Sequence, residues 1–479
     1  MKPAGSPALL VFTAALAAAL PARAAAPTLP SPVAAPSVVP ATDVRLVTLR
    51  NGMRLLLAPD SAARALDVAV WYRAGTVHER EGATGISHLF EHLMFGGSAH
   101  YPPQEHSRLV QAEGGTANAY TTPDYACYYQ TVPPGALDLV LQLEADRIGA
   151  LELSTAALAS EKRVVREERR WRAEGAPGGR ALEALDRLAW PGHPYRWPVI
   201  GLEPDLDRIG MADCQAYYAD HYAPNNALVT VVGRFDPDLA LRSAERWLEP
   251  LQRRRVAADA APPAPAQTAA RRGWERMGVP FGMVLAGWKV PARPDPDDAA
   301  FGLLSRVLTS GPAARLQRAL TAEPLRCLAV QGGLESRRDG GLIYVAATVR
   351  PGADSAAVEA ALVGEVERLA REPLGEEELE RVRRQEQIGT LLAWQTARGT
   401  AEALGAAQML DGDWRAAALR LERVRRISAA DLQRAAARVL TATGRNLLWI
   451  APTRAPAGAP AGGSEGGPGP GAPPAEGGR

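Results

Sequence analysis

The sequence is poor in lysine: of its 54 basic residues only Lys2, Lys162 and Lys289 are not arginine. That is a compositional bias without functional content. A surplus of either charge is also missing, because 53 acidic residues leave a formal net charge of +1. A nucleic-acid partner, which needs a basic face, is therefore not expected. Cysteine is nearly absent, as Cys127, Cys214 and Cys327 are the whole set. An odd, sparse set without CxxC spacing supports neither a disulfide framework nor a metal knuckle. The three read as small buried apolar residues, with one disulfide left open. Beyond the first two dozen residues no stretch is apolar enough to cross a bilayer.

What is present is length, 479 residues, and an apolar fraction of 47%. Two or three domains with real cores can be built from that. Residues 1–24 have the form of a secretory signal: Lys2, an apolar stretch over 8–20, and an A-x-A site at Ala22-Arg23-Ala24. The stretch is short for an anchor, although an uncleaved anchor is the rival reading. A periplasmic or secreted protein with no membrane span after cleavage is the expectation.

Composition divides the rest. Residues 25–42 form an Ala/Pro-rich leader, 253–272 a linker, and 453–479 a Gly/Pro-rich tail that cannot bury a core. Two blocks remain, 43–252 and 273–452. Each opens on strand-like segments, LDVAVWYRAG in the first and GMVLAGWKVP in the second, and each closes on a helix followed by a strand. Asn51-Gly52 between apolar runs marks a hairpin. A long-period repeat present twice predicts an α+β fold, a duplicated α/β sandwich with antiparallel-rich sheets and helices on one face.

The chemistry sits in Gly85-Ile86-Ser87-His88-Leu89-Phe90-Glu91-His92-Leu93-Met94. Positions 86, 89, 90, 93 and 94 have helical apolar spacing. His88 and His92, four apart, then project from one face and can reach one ion, with Glu91 beside them to act as base on a water. This is the H-x-x-E-H order. A catalytic zinc needs a third protein ligand and one open position. Ala159–Arg169 reads as a helix anchored by Val164 and Val165. On it Glu161 and Glu168 are two turns apart on one face. Glu168 is the candidate third ligand, Glu167 its rival by adjacency, and Glu161 the carboxylate that orients a histidine or the water.

GISHLFEHLMFGGS, NAYTTPDYACYY, EKRVVREE, HPYRWPVIG and YYADHYAPNNALVTVVG together resemble the pitrilysin (insulinase) family of zinc peptidases. The likeness extends over about residues 45–450, and within the family it is greatest to short bacterial members and subunits of mitochondrial processing peptidase. The resemblance implies one zinc per chain on His88, His92 and Glu168, Glu91 as base, Glu161 in support, and two halves facing each other like a clamshell around a peptide. It also implies that the strand in Gly114–Thr121 pairs with substrate backbone, with Asn118 and Ala119 as contact positions. One departure stands out. Relatives carry an Arg and a Tyr seven residues apart in the second half, where this chain has Thr321 and Leu328. The resemblance therefore implies a heterodimer in which a related subunit supplies that pair, a homodimer or a chain working with reduced efficiency being the rival. His193-Pro194-Tyr195 and Tyr222–Asn226 read as structural signatures.

The function expected is a zinc metalloendopeptidase acting on small or unfolded peptides. The alternatives are a non-catalytic scaffold subunit of the same fold and a protease dedicated to maturing one precursor.

Overall fold

The hairpin at Asn51-Gly52 shows how local chemistry starts the fold. Strand β1 (Arg45–Thr48) and strand β2 (Arg54–Pro59) pair antiparallel, with Thr48 opposite Arg54. Gly52 takes φ +88°, which costs a residue without Cβ nothing. The Asn51 side chain accepts from Met53 N at 3.0 Å and donates to Leu248 O at 2.7 Å, tying the turn to the end of the first half. The structure, a computed structural model, describes residues 43–175, 177–257 and 266–453, the side chains of 172–177 excepted. The signal, the leader, almost all of the tail and part of the linker lie outside the described residues.

The first half continues with β3 (Leu66–Tyr72), α1 (Ile86–Leu93), α2 (Glu105–Ala112), β4 (Thr116–Thr121) and β5 (Ala126–Val132). Then come α3 (Leu137–Ala150), α4 (Thr155–Gly175), α5 (Pro177–Ala189), α6 (Glu203–Arg208), α7 (Met211–His221), β6 (Ala227–Gly233) and α8 (Pro237–Trp247). The second half runs β7 (Arg271–Met277), β8 (Met283–Val290), α9 (Asp298–Thr309), α10 (Arg315–Thr321), β9 (Cys327–Glu335) and β10 (Gly341–Val349). It ends with α11 (Ser355–Arg371), α12 (Glu376–Ala393), α13 (Ala397–Leu410), α14 (Ala416–Arg426), α15 (Ala429–Val439) and β11 (Arg445–Pro452). The repeat is visible in this order: opening strands (three in the first half, two in the second), two helices, a hairpin, a run of helices and a further strand occur in both halves, with α8 following that strand in the first.

The first sheet is ordered β1-β2-β6-β3-β5-β4 and the second β7-β11-β8-β10-β9. Each is mixed, with one parallel pairing, β2–β6 and β7–β11 respectively. The central strands β3 and β6 are buried along their whole length, which is why they read as near-continuous Val/Leu/Ala runs. The fold is α+β, as the repeat predicts.

One feature of the layers goes beyond that expectation. The second face of each sheet carries a helix from the other half. Helix α13 lies on β3 and β6, and α5 lies on β8 and β11. The contacts are close: a Cβ at Gly405 of α13 would fall 2.3 Å from the Trp71 ring, and one at Gly287 of β8 would fall 3.2 Å from Leu185 of α5. Leu185, Trp190 and Tyr195 are buried in this way, and each fully buried large apolar side chain contributes about 1.5–3 kcal/mol. Sequence pattern places these helices in their own halves. Only their second apolar faces, matched to a neighbouring sheet, exchange them.

Polar contacts follow the same seams. Arg398 of α13 bonds Glu402 at 2.6 Å and stands 3.5 Å from the buried Asp67 of β3. Tyr120 of β4 donates to Glu402 at 2.6 Å. Tyr195 donates to Asp124 at 2.5 Å, and Arg338 N donates to the other oxygen of Asp124 at 3.0 Å. Cys127, Cys214 and Cys327 are free and buried. Among the described residues no helix is long and apolar enough to cross a membrane.

Candidate metal centre

Helix α1 forms because its apolar residues share one face. Ile86, Leu89, Phe90 and Leu93 are buried in the first core, where Phe90 lies 5.2 Å from the Tyr222 ring. The loop before it is fixed in two ways. Gly85, at φ +87°, meets Gly201 so closely that a Cβ would fall 2.7 Å from its Cα. Gly85 offers the helix no capping side chain. Instead the buried carboxylate of Glu79 accepts from Gly85 N at 2.8 Å and Ser87 N at 3.0 Å, neutralising two of the orphan donors at the helix start. Burial pushes the Glu79 pKa up to about 7, against those hydrogen bonds.

So held, α1 presents His88 and His92 with ring centroids 5.0 Å apart. Helix α4 crosses α1 and brings Glu168 to both rings: its Oε2 lies 3.6 Å from His88 Nε2 and 3.4 Å from His92 Nε2. One ligand atom from each of the three residues lies within 4.8 Å of the others. Two imidazoles and a carboxylate are a zinc donor set. A tetrahedral zinc with bonds near 2.1 Å separates its ligand atoms by about 3.4 Å. The separations from Glu168 Oε2, 3.6 and 3.4 Å, lie close to that value.

Glu161, two turns before Glu168, takes the remaining ring nitrogen, with Oε2 3.3 Å from His92 Nδ1. Burial lowers the proton affinity of the His92 ring, but Glu161 and Glu168 outweigh it and hold its pKa up at about 9. Two carboxylates facing one imidazole make a place suited to positive charge. Glu167, the rival ligand, points elsewhere: it is exposed and bonds Arg170 at 2.7 Å. Val165 alone anchors this part of α4 in the core. Val164, expected to share that task, is 47% exposed, because one residue turns the helix face by about 100°.

Glu91 is half-buried and accepts from Thr121 Oγ1 at 2.7 Å. Thr121 ends β4, the edge strand of the first sheet, which packs beside α1. Asn118 is exposed on that strand, and its Oδ1 accepts from Ala119 N at 2.8 Å. In the second half, Thr321 Oγ1 bonds back to Gln317 O at 2.7 Å, and Leu328 is exposed on the edge strand β9. Tyr195 and Tyr222 are buried among aromatic rings, as structural signatures are.

Sequence reasoning missed Glu79 and Thr121. Each acts on α1 through a single tertiary hydrogen bond or pair, and no spacing rule marks such a residue. An acidic residue six positions before a helix that opens on glycine was the one available signal for Glu79.

Residues 54–201 match the sequence profile described as insulinase (peptidase family M16), and residues 208–386 match that of the peptidase M16 inactive domain. The zinc protease PqqE of Helicobacter pylori is 29% identical over 342 residues, covering 70% of this chain and 77% of that protein. A crystal structure of a protease from Helicobacter pylori superposes with a TM-score of 0.81 at 25% identity, covering 85% of this chain and 99% of that one. The periplasmic protease PqqL from Escherichia coli superposes at 0.69 with 18% identity, over 86% of this chain and 48% of that one. The two consecutive profiles together match most of residues 54–386, so the chain belongs to the pitrilysin, or insulinase-type, family of peptidases.

Proposed function

We propose that this chain is a secreted zinc metalloendopeptidase that hydrolyses small or unfolded peptides. The observation that carries the reading is the meeting of His88, His92 and Glu168 at zinc-ligand separations, beside a carboxylate fit to serve as base. Zinc, when bound, supplies Lewis acidity that favours deprotonation of water and stabilises charge on the substrate carbonyl oxygen. The protein's own residues do the rest. Glu91 accepts the proton of the attacking water and passes it to the leaving amide nitrogen. The Thr121 hydroxyl holds the Glu91 carboxylate in place, and Glu161 holds the His92 ring. An extended peptide joins the free edge of β4 at Asn118 and Ala119, replacing the Asn118 Oδ1 bond to Ala119 N with a bond of its own.

A related subunit supplies the arginine and tyrosine that positions 321 and 328 lack, so the working form is a heterodimer. That this chain matches about half of the longer PqqL is consistent with paired modules. Secretion rests on the signal-like residues 1–24 and on the periplasmic location of that neighbour.

The test is to purify the chain alone and with a co-encoded relative, then measure zinc content and cleavage of a mixed peptide library. About one zinc per chain, lost in Glu168→Gln, together with cleavage, supports the reading. Zinc binding without cleavage of any peptide in either form points to the scaffold role instead, and cuts confined to one precursor point to a maturation protease.

A further inference from the structure

Strand β4 is held on each face by a glutamate, and the two glutamates come from different halves of the chain. Side chains alternate along the strand. Ala117 and Ala119 face the first core, and on their side Thr121 Oγ1 donates to Glu91 of α1 at 2.7 Å. Tyr120 points the other way, into the cluster that Trp71 and Cys127 form with Ala401 and Leu404 of α13. Its ring stands edge-on to Trp71 with centroids 6.3 Å apart, and its hydroxyl lies 2.6 and 2.8 Å from the two carboxylate oxygens of Glu402. Glu402 is itself fixed. Arg398, one turn earlier on α13, donates to it at 2.6 Å and lays its guanidinium over the Tyr129 ring, 3.6 Å from the centroid. The same guanidinium stands 3.5 Å from Asp67, which accepts from Thr131 at 2.8 Å. Tyr129 lies opposite Asn118 and Thr131 opposite Thr116, so this polar network underlies the whole length of β4.

We propose that Glu402 and Arg398 are positioning residues for peptide hydrolysis, through which the second half of the chain sets the place of β4 beside the metal centre; this rests on the peptidase reading above. An edge strand has ladder bonds on one side only, here to β5, so its side chains must supply the fixity that a second neighbouring strand would give. A peptide pairing with the free edge meets main-chain groups whose aim follows the tilt of β4, and hydrogen bonds weaken steeply as that aim is lost. Tyr120 and Thr121 are adjacent, so a shift that frees Tyr120 from Glu402 also moves the hydroxyl that holds Glu91. A displacement of about 1 Å at a reacting group can cost on the order of 10²-fold in rate. A partly buried ion network is a weak source of stability, since desolvation offsets most of its attraction. What Arg398 and Glu402 supply at this seam is direction: a fixed acceptor for one hydroxyl of the strand.

The experiment compares Tyr120→Phe, Glu402→Ala, the two combined, and Glu402→Gln in the full chain. Each of the first two should lower kcat/KM for peptide cleavage by roughly tenfold, the scale of one hydrogen bond to a charged group, with zinc content unchanged. The double variant should be no worse than either single one, because both remove the same bond. Glu402→Gln, whose amide oxygen still accepts from Tyr120, should keep most of the activity. Arg272→Ala, which breaks an ion pair with Glu359 away from β4, should leave it unchanged. Amide hydrogen exchange supplies a readout that needs no turnover: amides of the β4–β5 ladder should exchange about tenfold faster in Tyr120→Phe and Glu402→Ala, and those of the β8–β10 ladder at their former rate. An active chain whose kinetics are untouched in both variants overturns the proposal, even where folding stability falls. So do additive losses in the double variant, or β4 amides that exchange as before. A chain that cleaves nothing while its β4 amides respond as stated refutes the peptidase reading and upholds the anchoring of β4 by α13.

Discussion

The carboxylate of Glu161 stands 3.3 Å from Nδ1 of His92, on the side of the ring away from Glu168. The bond turns Nε2 toward Glu168 and fixes which nitrogen a bound cation would meet. Carboxylates in this position typically govern metal affinity by 10- to 100-fold. Glu161→Gln is therefore expected to weaken zinc binding by about that factor, read by competition with a chromophoric chelator, with the fold retained. Unaltered affinity would show that the His92 ring is held by packing alone.

Glu91 lies on the same helix as both histidines but is not among the three clustered donor residues. Glu91→Gln should keep about one zinc per chain and lower kcat by at least 10²-fold, the usual share of a general base. Near-normal turnover in that variant refutes the role.

Thr121 donates to Glu91 from the end of the edge strand. A hydrogen bond to a charged group contributes about 1.5–3 kcal/mol, so Thr121→Val should reduce kcat roughly tenfold or more with zinc content unchanged. A change confined to KM would place Thr121 in peptide binding and not in orienting the base.

Asp67 is fully buried on β3, where burial raises its pKa to about 6 against the pull of Arg398 and Thr131. An unfolded aspartate titrates near 3.9. Between about pH 4 and pH 6 the folded state therefore holds more protons than the unfolded state, and stability falls as pH rises through that window. The contribution is at most about 3 kcal/mol. Asp67→Asn should flatten the slope of unfolding free energy against pH across this range, measured by urea titration. An identical slope in the variant would mean that Asp67 stays ionised in the fold.

Much of the architecture was legible because it is written in short-range patterns. The Asn51-Gly52 turn, the continuous apolar run of β3, and the 86, 89, 90, 93 spacing of α1 each follow from local geometry, and the duplication follows from their recurrence. His88 and His92 share a face because four residues make about one helical turn. For their meeting with Glu168, 76 residues beyond His92, spacing offered Glu168 with Glu167 as its rival, and the resemblance of motifs implied Glu168.

Tertiary structure alone decided the rest, since these features depend on which surfaces meet. It turned Glu168 toward the rings and Glu167 toward Arg170. It exposed Val164 and buried Val165, a choice between neighbours that charge and apolarity do not make. It set the buried Glu79 carboxylate at the start of α1 and laid α5 and α13 on the sheets of opposite halves. A sequence specifies the faces of its helices and strands through bond geometry a few residues long. Which face lies against which is settled by the packing of the whole chain, where burial and paired polar groups must be satisfied together.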